Sequence, residues 1–575
     1  MKKFTLLCLF QLVLPFSILL LGNNNANAPV RYKSKKSIIA KKAVVSAAHP
    51  LASKVGLKVI KEGGNAIDAA IATQFALAVV YPRAGNIGGG GFLVYRSGDG
   101  KDISTLDFRE KAPIAGSRNM YLDKAGNVMP RRSQRGQLAA GVPGTVDGCV
   151  KMFQKYSKLK NWKKLVQPAI NFAKKGFAIT ALEAQRLNEN KKDFLAYSTM
   201  PTALVKPKEK LWRKGDVLKQ PELAHTLELI RDKGEAGFYE GETADKIVDE
   251  MVRGGGLVSH EDLKGYEATW RKPLMSQYRG HDVITMAPPS SGGIIMTQLF
   301  NFVEKFPLSQ MGFHSPETIH LMVEAERRAY ADRAEHMGDS DFYPVKLDKL
   351  VSKIYLKMRF SDFNPEKATP SKDIKYGNLA YESDQTTHMS IVDTEGGAVS
   401  LTTTLNDNYG CRTVVGGAGF LLNNEMDDFS VKPGVPNIYG AIGGDANAIQ
   451  AQKRPLSSMT PTIITKNGKL FMVVGTPGGT TIPTSVFQVI INVIDFGMNA
   501  TQATQARRFH HQWMPDVVAI EKSSLKLDVL DRLKSMGHTF AERPYIGLVE
   551  TILVRADGRL EGAADTRSDD DVEGF

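Results

Sequence analysis

An Asn-Gly pair between two apolar runs leaves a chain few choices, and Asn467-Gly468 is such a pair. A type I′ turn needs positive φ at both central residues, which Asn and Gly tolerate best. The turn predicts an antiparallel hairpin joining residues 460–466 to 469–475, with Lys466 opposite Lys469. Carried outward, that register sets Ser457 opposite Gly478 and Ser458 opposite Pro477, where regular pairing should end. The hydroxyls of Ser457-Ser458 and the N–H groups of Gly478-Gly479 would then converge at one open end.

A second hairpin is predicted from residues 386–393 and 397–405, with Thr394-Glu395-Gly396 as its loop. A three-residue loop pairs Asp393 with Gly397 and sets Thr386 opposite Thr404. Directly opposed Cβ atoms lie about 4.5–5.5 Å apart, so the two hydroxyls can meet. A four-residue loop would shift the register by one and turn them to opposite faces.

The rest of the chain is ordered around these hairpins. Residues 51–62 read as a helix stopped by Gly63-Gly64. Asn65 can cap the next helix, with Asp68 in its first turn. Residues 85–91 read as a tight, buried glycine turn and residues 92–95 as a strand. Gly85-Asn86-Ile87-Gly88 follows a helix and lacks the dinucleotide fingerprint. Residues 162–358 read as mostly helical. From Thr386 the texture turns to Thr, Val and Ile runs between glycine turns. Helices, then strands, then helices and a final strand predict an α+β protein, not a doubly wound parallel sheet.

Residues 1–28 read as a secretory signal: Lys2 and Lys3, a greasy stretch over residues 4–21, and Ala26-Asn27-Ala28 as the small-x-small cleavage pattern. Gln11, Pro15 and Ser17 interrupt the stretch and argue against a membrane anchor. Export makes nucleic acid an unsuitable partner despite the net charge of +13. Much of that excess sits in Arg31, Lys33, Lys35, Lys36, Lys41 and Lys42, read as a solvated basic tail. Cys149 and Cys411 are the two thiols left after export; two thiols make no disulfide framework, and their pairing stays open. The only histidine pair, His510-His511, lacks metal-ligand company, so no metal or other cofactor is expected.

A threonine hydroxyl is a weak nucleophile unless a base takes its proton. A free α-amine on the same residue can serve, with a pKa near 8. Thr386 is internal and gains that amine only if Gln385–Thr386 is cut. Nothing local singles it out, because threonines in strands serve β-propensity.

Resemblance supplies what the residue alone does not. Gln385-Thr386-Thr387-His388-Met389-Ser390 resembles the processing and nucleophile motif of the γ-glutamyltranspeptidases. Leu422-Asn423-Asn424-Glu425-Met426-Asp427-Asp428-Phe429, Lys453-Arg454-Pro455-Leu456-Ser457-Ser458-Met459 and Gly475-Thr476-Pro477-Gly478-Gly479 resemble further blocks of that family. So do Asp107-Phe108-Arg109-Glu110 and the glycine run Gly85 to Gly91. The blocks fall in family order from about His49 to the C-terminus.

The resemblance implies an αββα four-layer sandwich of the N-terminal nucleophile hydrolase type, formed jointly by two autoprocessed subunits. These would be a large subunit, 29–385, and a small catalytic subunit, 386–575, which stay associated. It implies Thr386 as nucleophile, Thr404 as the hydroxyl that tunes it, and Gly478 and Gly479 as oxyanion donors. Arg109 would bind the donor's α-carboxylate, with hydrogen bonds from Ser457 and Ser458. Asn406, Glu425 and Asp428 would hold its α-ammonium. Many bacterial relatives have Gln where this chain has Glu425. Asn437-Ile438-Tyr439-Gly440 resembles the lid segment carried by Tyr439, and Arg567 matches a position serving subunit packing. The implied reaction is transfer of the γ-glutamyl group of glutathione to water, an amino acid or a dipeptide, in an exported, periplasmic or secreted enzyme without a membrane span. Rival readings are a cephalosporin acylase and an unprocessed, non-catalytic binding protein.

Overall fold

The computed structural model describes residues 32–208, 210–374 and 386–575. The signal reading of residues 1–28 and the Gln385 side of the cleavage junction lie outside them.

Two seven-stranded sheets, each antiparallel throughout, form the centre. The first runs Asp571–Gly574, Val44–Ala47, Thr387–Val392, Ala398–Thr404, Gly90–Arg96, Ile103–Asp107 and Thr269–Arg271. The second runs Ser37–Ala40, Leu560–Ala564, Glu550–Val554, Lys469–Gly475, Thr462–Lys466, His281–Thr285 and Leu274–Tyr278. Val44, Val94, Val392 and Ala398 of the first sheet pack on Ile284, Ile463, Val473 and Ile552 of the second.

Each sheet buries its other face under helices. Pro50–Lys61, Ala66–Val80, Trp162–Lys175 and Pro221–Lys233 cover the first sheet. Gly292–Val303, Pro316–His336 and Thr481–Ile494 cover the second. Ala66–Val80 is buried on every side, which is why it is apolar around its whole circumference. Its start is fixed as expected: Asn65 accepts from the Asp68 N–H, and the Asp68 carboxylate accepts from the Asn65 N–H.

The threonine hairpin has the expected register. Thr387 pairs with Thr403 and Val392 with Ala398, and the Asp393 N–H donates to Gly397 at 2.9 Å. The Asn-Gly hairpin keeps it only near its turn. Lys466 pairs with Lys469, but a bulge between Ile464 and Thr465 moves Ile464 opposite Met472. The extra residue on the partner strand shifts every outer pair, and the strand begins at Thr462 rather than 460. The expected Ser457–Gly478 pairing therefore does not form. Ser457 instead bridges Ser290 in parallel, its N–H donating to the Pro289 carbonyl at 2.9 Å.

Two other expectations change. Residues 162–358, read as mostly helical, also supply the hairpin Leu274–Tyr278 and His281–Thr285. The basic segment is solvated only in part: Lys33, Lys41 and Lys42 are exposed as expected, Arg31 lies outside the described residues, and two lysines find partners near the C-terminus. Lys35 pairs with Glu573, and the Lys36 ammonium donates to the carbonyls of Asp565, Ser568 and Asp570. The acidic C-terminal strand lies alongside these two lysines, and the Lys35 side chain stays half exposed. Cys149 and Cys411 are buried and not joined in a disulfide, each thiol pushed up by burial. Among the described residues no helix is long and apolar enough to cross a membrane.

Candidate active site

Both hairpins open at the same end of the stacked sheets, where the His388 ring lies over Gly475. There a narrow cleft with about 20 Å³ of free space is lined by Arg109, Thr386, Thr404, Asn406, Glu425, Asp428, Tyr439, Ser457, Ser458 and Gly479.

Thr386 precedes its strand and is buried. Its Oγ1 lies 3.4 Å from Thr404 Oγ1, as the register requires. Thr404 Oγ1 also accepts from the Asn406 N–H at 2.7 Å, so its own proton can point toward Thr386. Asn406 sits at φ 71 and donates its side-chain amide to the Asn424 carbonyl at 2.9 Å. Behind the pair, Asn86 donates to the Thr404 carbonyl at 2.9 Å. The backbone passes so close that a Cβ on Gly89 would lie 2.0 Å from that carbonyl oxygen.

Gly478 and Gly479 follow the strand Lys469–Gly475 and precede the helix Thr481–Ile494. Their φ values are +142 and +54, conformations that glycine adopts without strain. Among the described residues none accepts from either N–H. A helix N-terminus adds a partial positive charge at this point. Gly479 lines the cavity; Gly478 lies one residue back, outside the lining.

The floor is electrostatic. Arg109 is buried and donates to Glu425, to Asp428, and to the carbonyls of Pro455 and Leu456 at 3.3 Å each. Glu110 lies 3.8 Å away. Burial works against the Arg109 charge, but Glu425, Asp428 and Glu110 outweigh it and push its pKa up. Burial raises Glu425 and Asp428 above the usual carboxylate range, with Arg109 pulling both down. A zwitterion can exchange into such a cluster, placing its anion on the guanidinium and its cation on the acids.

Tyr439 closes the cavity. Its hydroxyl donates to the Asn406 carbonyl, and its ring lies where a Cβ on Gly479 would come within 2.9 Å. The segment is tied down by Asn437, which donates to Asp428 at 3.1 Å, and by the Ile438 N–H, which donates to Asp427 at 2.6 Å. Asp427 thus anchors this segment. It is buried, also accepts from Ser133 at 2.5 Å, and is pushed up to about 6 by burial.

The sequence reading missed Arg333 and Thr480, which also line the cavity. Arg333 reaches Ser291 and Ser458 at 3.2 Å each. Its signal was the run of charges in Pro316–His336, a helix whose Glu324, Glu326, Arg327, Arg328 and Asp332 are also buried. Arg567 is held by Glu521 and Asp565, away from the cavity. His510 and His511 turn to different partners, Thr484 with Gln512 and Asp516.

Paired antiparallel sheets clad in helices, with a hydroxyl pair above a buried guanidinium–carboxylate floor, define an α+β architecture found among acylases. It matches the crystal structure of a cephalosporin acylase from Bacillus halodurans with a TM-score of 0.82 at 26% identity, covering 95% of this chain and 98% of that one. The chain belongs to the gamma-glutamyltranspeptidase family, whose model matches residues 52–575. It is 45% identical over 549 residues to the glutathione hydrolase proenzyme of Escherichia coli (strain K12), covering 95% of this chain and 94% of the relative. The Helicobacter pylori gamma-glutamyltranspeptidase structure is 46% identical with a TM-score of 0.56, covering 60% of this chain and 97% of that one.

Proposed function

We propose that the chain is an exported glutathione hydrolase proenzyme that cuts itself before Thr386 and then transfers γ-glutamyl groups through that threonine. The contact between Thr386 and Thr404 above the Arg109–Glu425–Asp428 floor carries this reading.

In processing, Thr386 Oγ attacks the Gln385 carbonyl, the acyl group shifts from nitrogen to oxygen, and water hydrolyses the ester. The products are a large subunit, 29–385, and a small subunit, 386–575, which together make an αββα sandwich of the N-terminal nucleophile hydrolase type. Both subunits contribute strands to each sheet, so they stay associated. The site is periplasmic or secreted, and residues 1–28 are its export signal.

In turnover, the new α-amine takes the Thr386 hydroxyl proton, since its pKa near 8 matches working pH. Arg109 takes the donor's α-carboxylate, with Ser457 and Ser458 beside it. Glu425, Asp428 and Asn406 take the α-ammonium. Gly478 and Gly479 N–H groups stabilise the oxyanion, a contribution of about 2.7–4 kcal/mol per donor in such sites. Collapse expels cysteinylglycine from glutathione and leaves a γ-glutamyl ester on Thr386. Water or an amino acid or dipeptide amine then attacks the ester, and Thr386 leaves.

The acylase likeness supports a second reading, a glutaryl donor. That group lacks the α-amine and would leave Glu425 and Asp428 without a cation. Comparison of γ-glutamyl and glutaryl anilides tests the choice: preferred turnover of the first is expected, and preferred turnover of the second would overturn it.

A further inference from the structure

Three carboxyls surround one guanidinium at the floor of the cavity. Arg109 pairs with Glu425 and Asp428, and Glu110 stands 3.8 Å from it. Both Glu110 oxygens and Oε2 of Glu425 are buried without a hydrogen-bond donor. An ionised carboxylate only accepts hydrogen bonds, so two facing ones cannot satisfy each other. One proton between them would satisfy both.

We infer that Glu110 and Glu425 hold one proton in common, and that Glu110 is a positioning residue which pins Glu425 for the donor's ammonium. The inference rests on the proposed γ-glutamyl specificity.

Charge balance supports it. With all three acids ionised, three negative charges would face the two cations Arg109 and Arg333, leaving one uncompensated in a region with almost no solvent. Burying an unpaired charge costs several kcal/mol, and such a group takes up a proton instead. Two carboxyls in contact titrate as a pair, one of them strongly raised. Burial lifts Glu110 to about 7 against the opposing pull of Arg109, and it raises Glu425 well above its ordinary range.

The other groups around the pair do not supply the proton's role. Asp428 is itself held by Arg109 and Asn437, with Arg333 facing it from the long helix. Tyr266 donates to the Arg109 carbonyl and Tyr439 to the Asn406 carbonyl. Burial raises both phenols well above their usual range, so they stay neutral.

The consequence is a site whose charge depends on that proton. While it is held, Glu425 Oε2 is tied back to Glu110 and Oε1 stays on Arg109. When it leaves at alkaline pH, a third negative charge crowds Arg109 and competes with the donor's α-carboxylate. Donor KM should then rise. In E425Q the side-chain amide donates to Glu110 permanently, and in E110Q the amide donates to Glu425. Both variants should lose that part of the alkaline rise, whatever their absolute KM. E110A leaves no donor and a gap.

The test is the pH profile of donor KM and kcat for the processed protein with a γ-glutamyl anilide, from pH 6 to 9.5. Expected are a wild-type KM rise through the alkaline range roughly fivefold or more greater than that of E425Q and E110Q, which keep only the rise due to the donor's own α-ammonium losing its proton, and a KM for E110A at least about tenfold above that of E110Q. The full wild-type alkaline rise retained in both amide variants, or E110A matching E110Q, would overturn the inference. Thermal unfolding of the uncut T386A chain gives a readout independent of turnover. Its stability should fall with rising pH more steeply than that of T386A/E425Q, because folded-state carboxyls with raised pKa values lose their proton there; equal slopes would also overturn it. Failure of the wild type to turn over the γ-glutamyl anilide sinks the proposed function instead, and the unfolding comparison still stands.

Discussion

Replacing Arg109 with lysine separates charge from geometry. The guanidinium makes four contacts at once, to Glu425, Asp428 and the carbonyls of Pro455 and Leu456. Lysine keeps the charge but offers three donors from one point and cannot form the planar fork that grips a carboxylate. A hydrogen bond to a charged group contributes about 1.5–3 kcal/mol. Loss of one such bond to the donor's α-carboxylate therefore predicts a rise in KM of about 10- to 100-fold, at 1.4 kcal/mol per tenfold. The assay compares γ-glutamyl anilide with 4-aminobutyryl anilide, which keeps the amine and lacks the α-carboxylate. The wild type should favour the first strongly, and R109K should lose about tenfold or more of that preference. Coupling between substitution and substrate group isolates their contact from general disturbance. A folded, processed R109K with undiminished preference would refute the assignment of Arg109 to the carboxylate.

Three further outcomes follow from the same geometry. T404V keeps the shape but removes the hydroxyl 3.4 Å from Thr386, and should slow both self-cleavage and turnover about 10- to 100-fold with little change in donor KM. G479A puts a Cβ 2.9 Å from the Tyr439 ring at a φ of +54, and should cut kcat by more than about 100-fold in steady-state assays while the chain still folds. Acid should destabilise the protein: burial lowers His49, His388, His510 and His538 to about 3 from an ordinary 6.5, so their stabilising share is full above pH 6.5 and lost as pH falls toward 3, readable as a falling Tm.

What the sequence made legible was local. The threonine hairpin was readable because its loop length fixes the register, and Thr386 does meet Thr404. The Asn467-Gly468 turn was equally plain, yet the register failed beyond it. The bulge at Ile464/Thr465 carries no glycine or other mark in the sequence. Ser457 still reaches the cavity, but through a long-range bridge to Ser290 that no local rule predicts. Arg333 and Asp427 were missed for a related reason. A charged residue in a helix or turn reads as solvent-facing unless the tertiary structure shows what covers it. The same applies to Lys35 and Lys36, whose partners sit at the other end of the chain.

The central claim is that Thr386 becomes an N-terminus and then the nucleophile. N-terminal sequencing and intact mass of the purified protein, beside T386A, test it most directly. The account predicts two chains, the smaller running from Thr386 to Phe575 and beginning Thr-Thr-His-Met, and a T386A protein that remains one inactive chain. An active wild type that stays a single chain, or a T386A protein that is cut at the same bond and turns over donor, would contradict it.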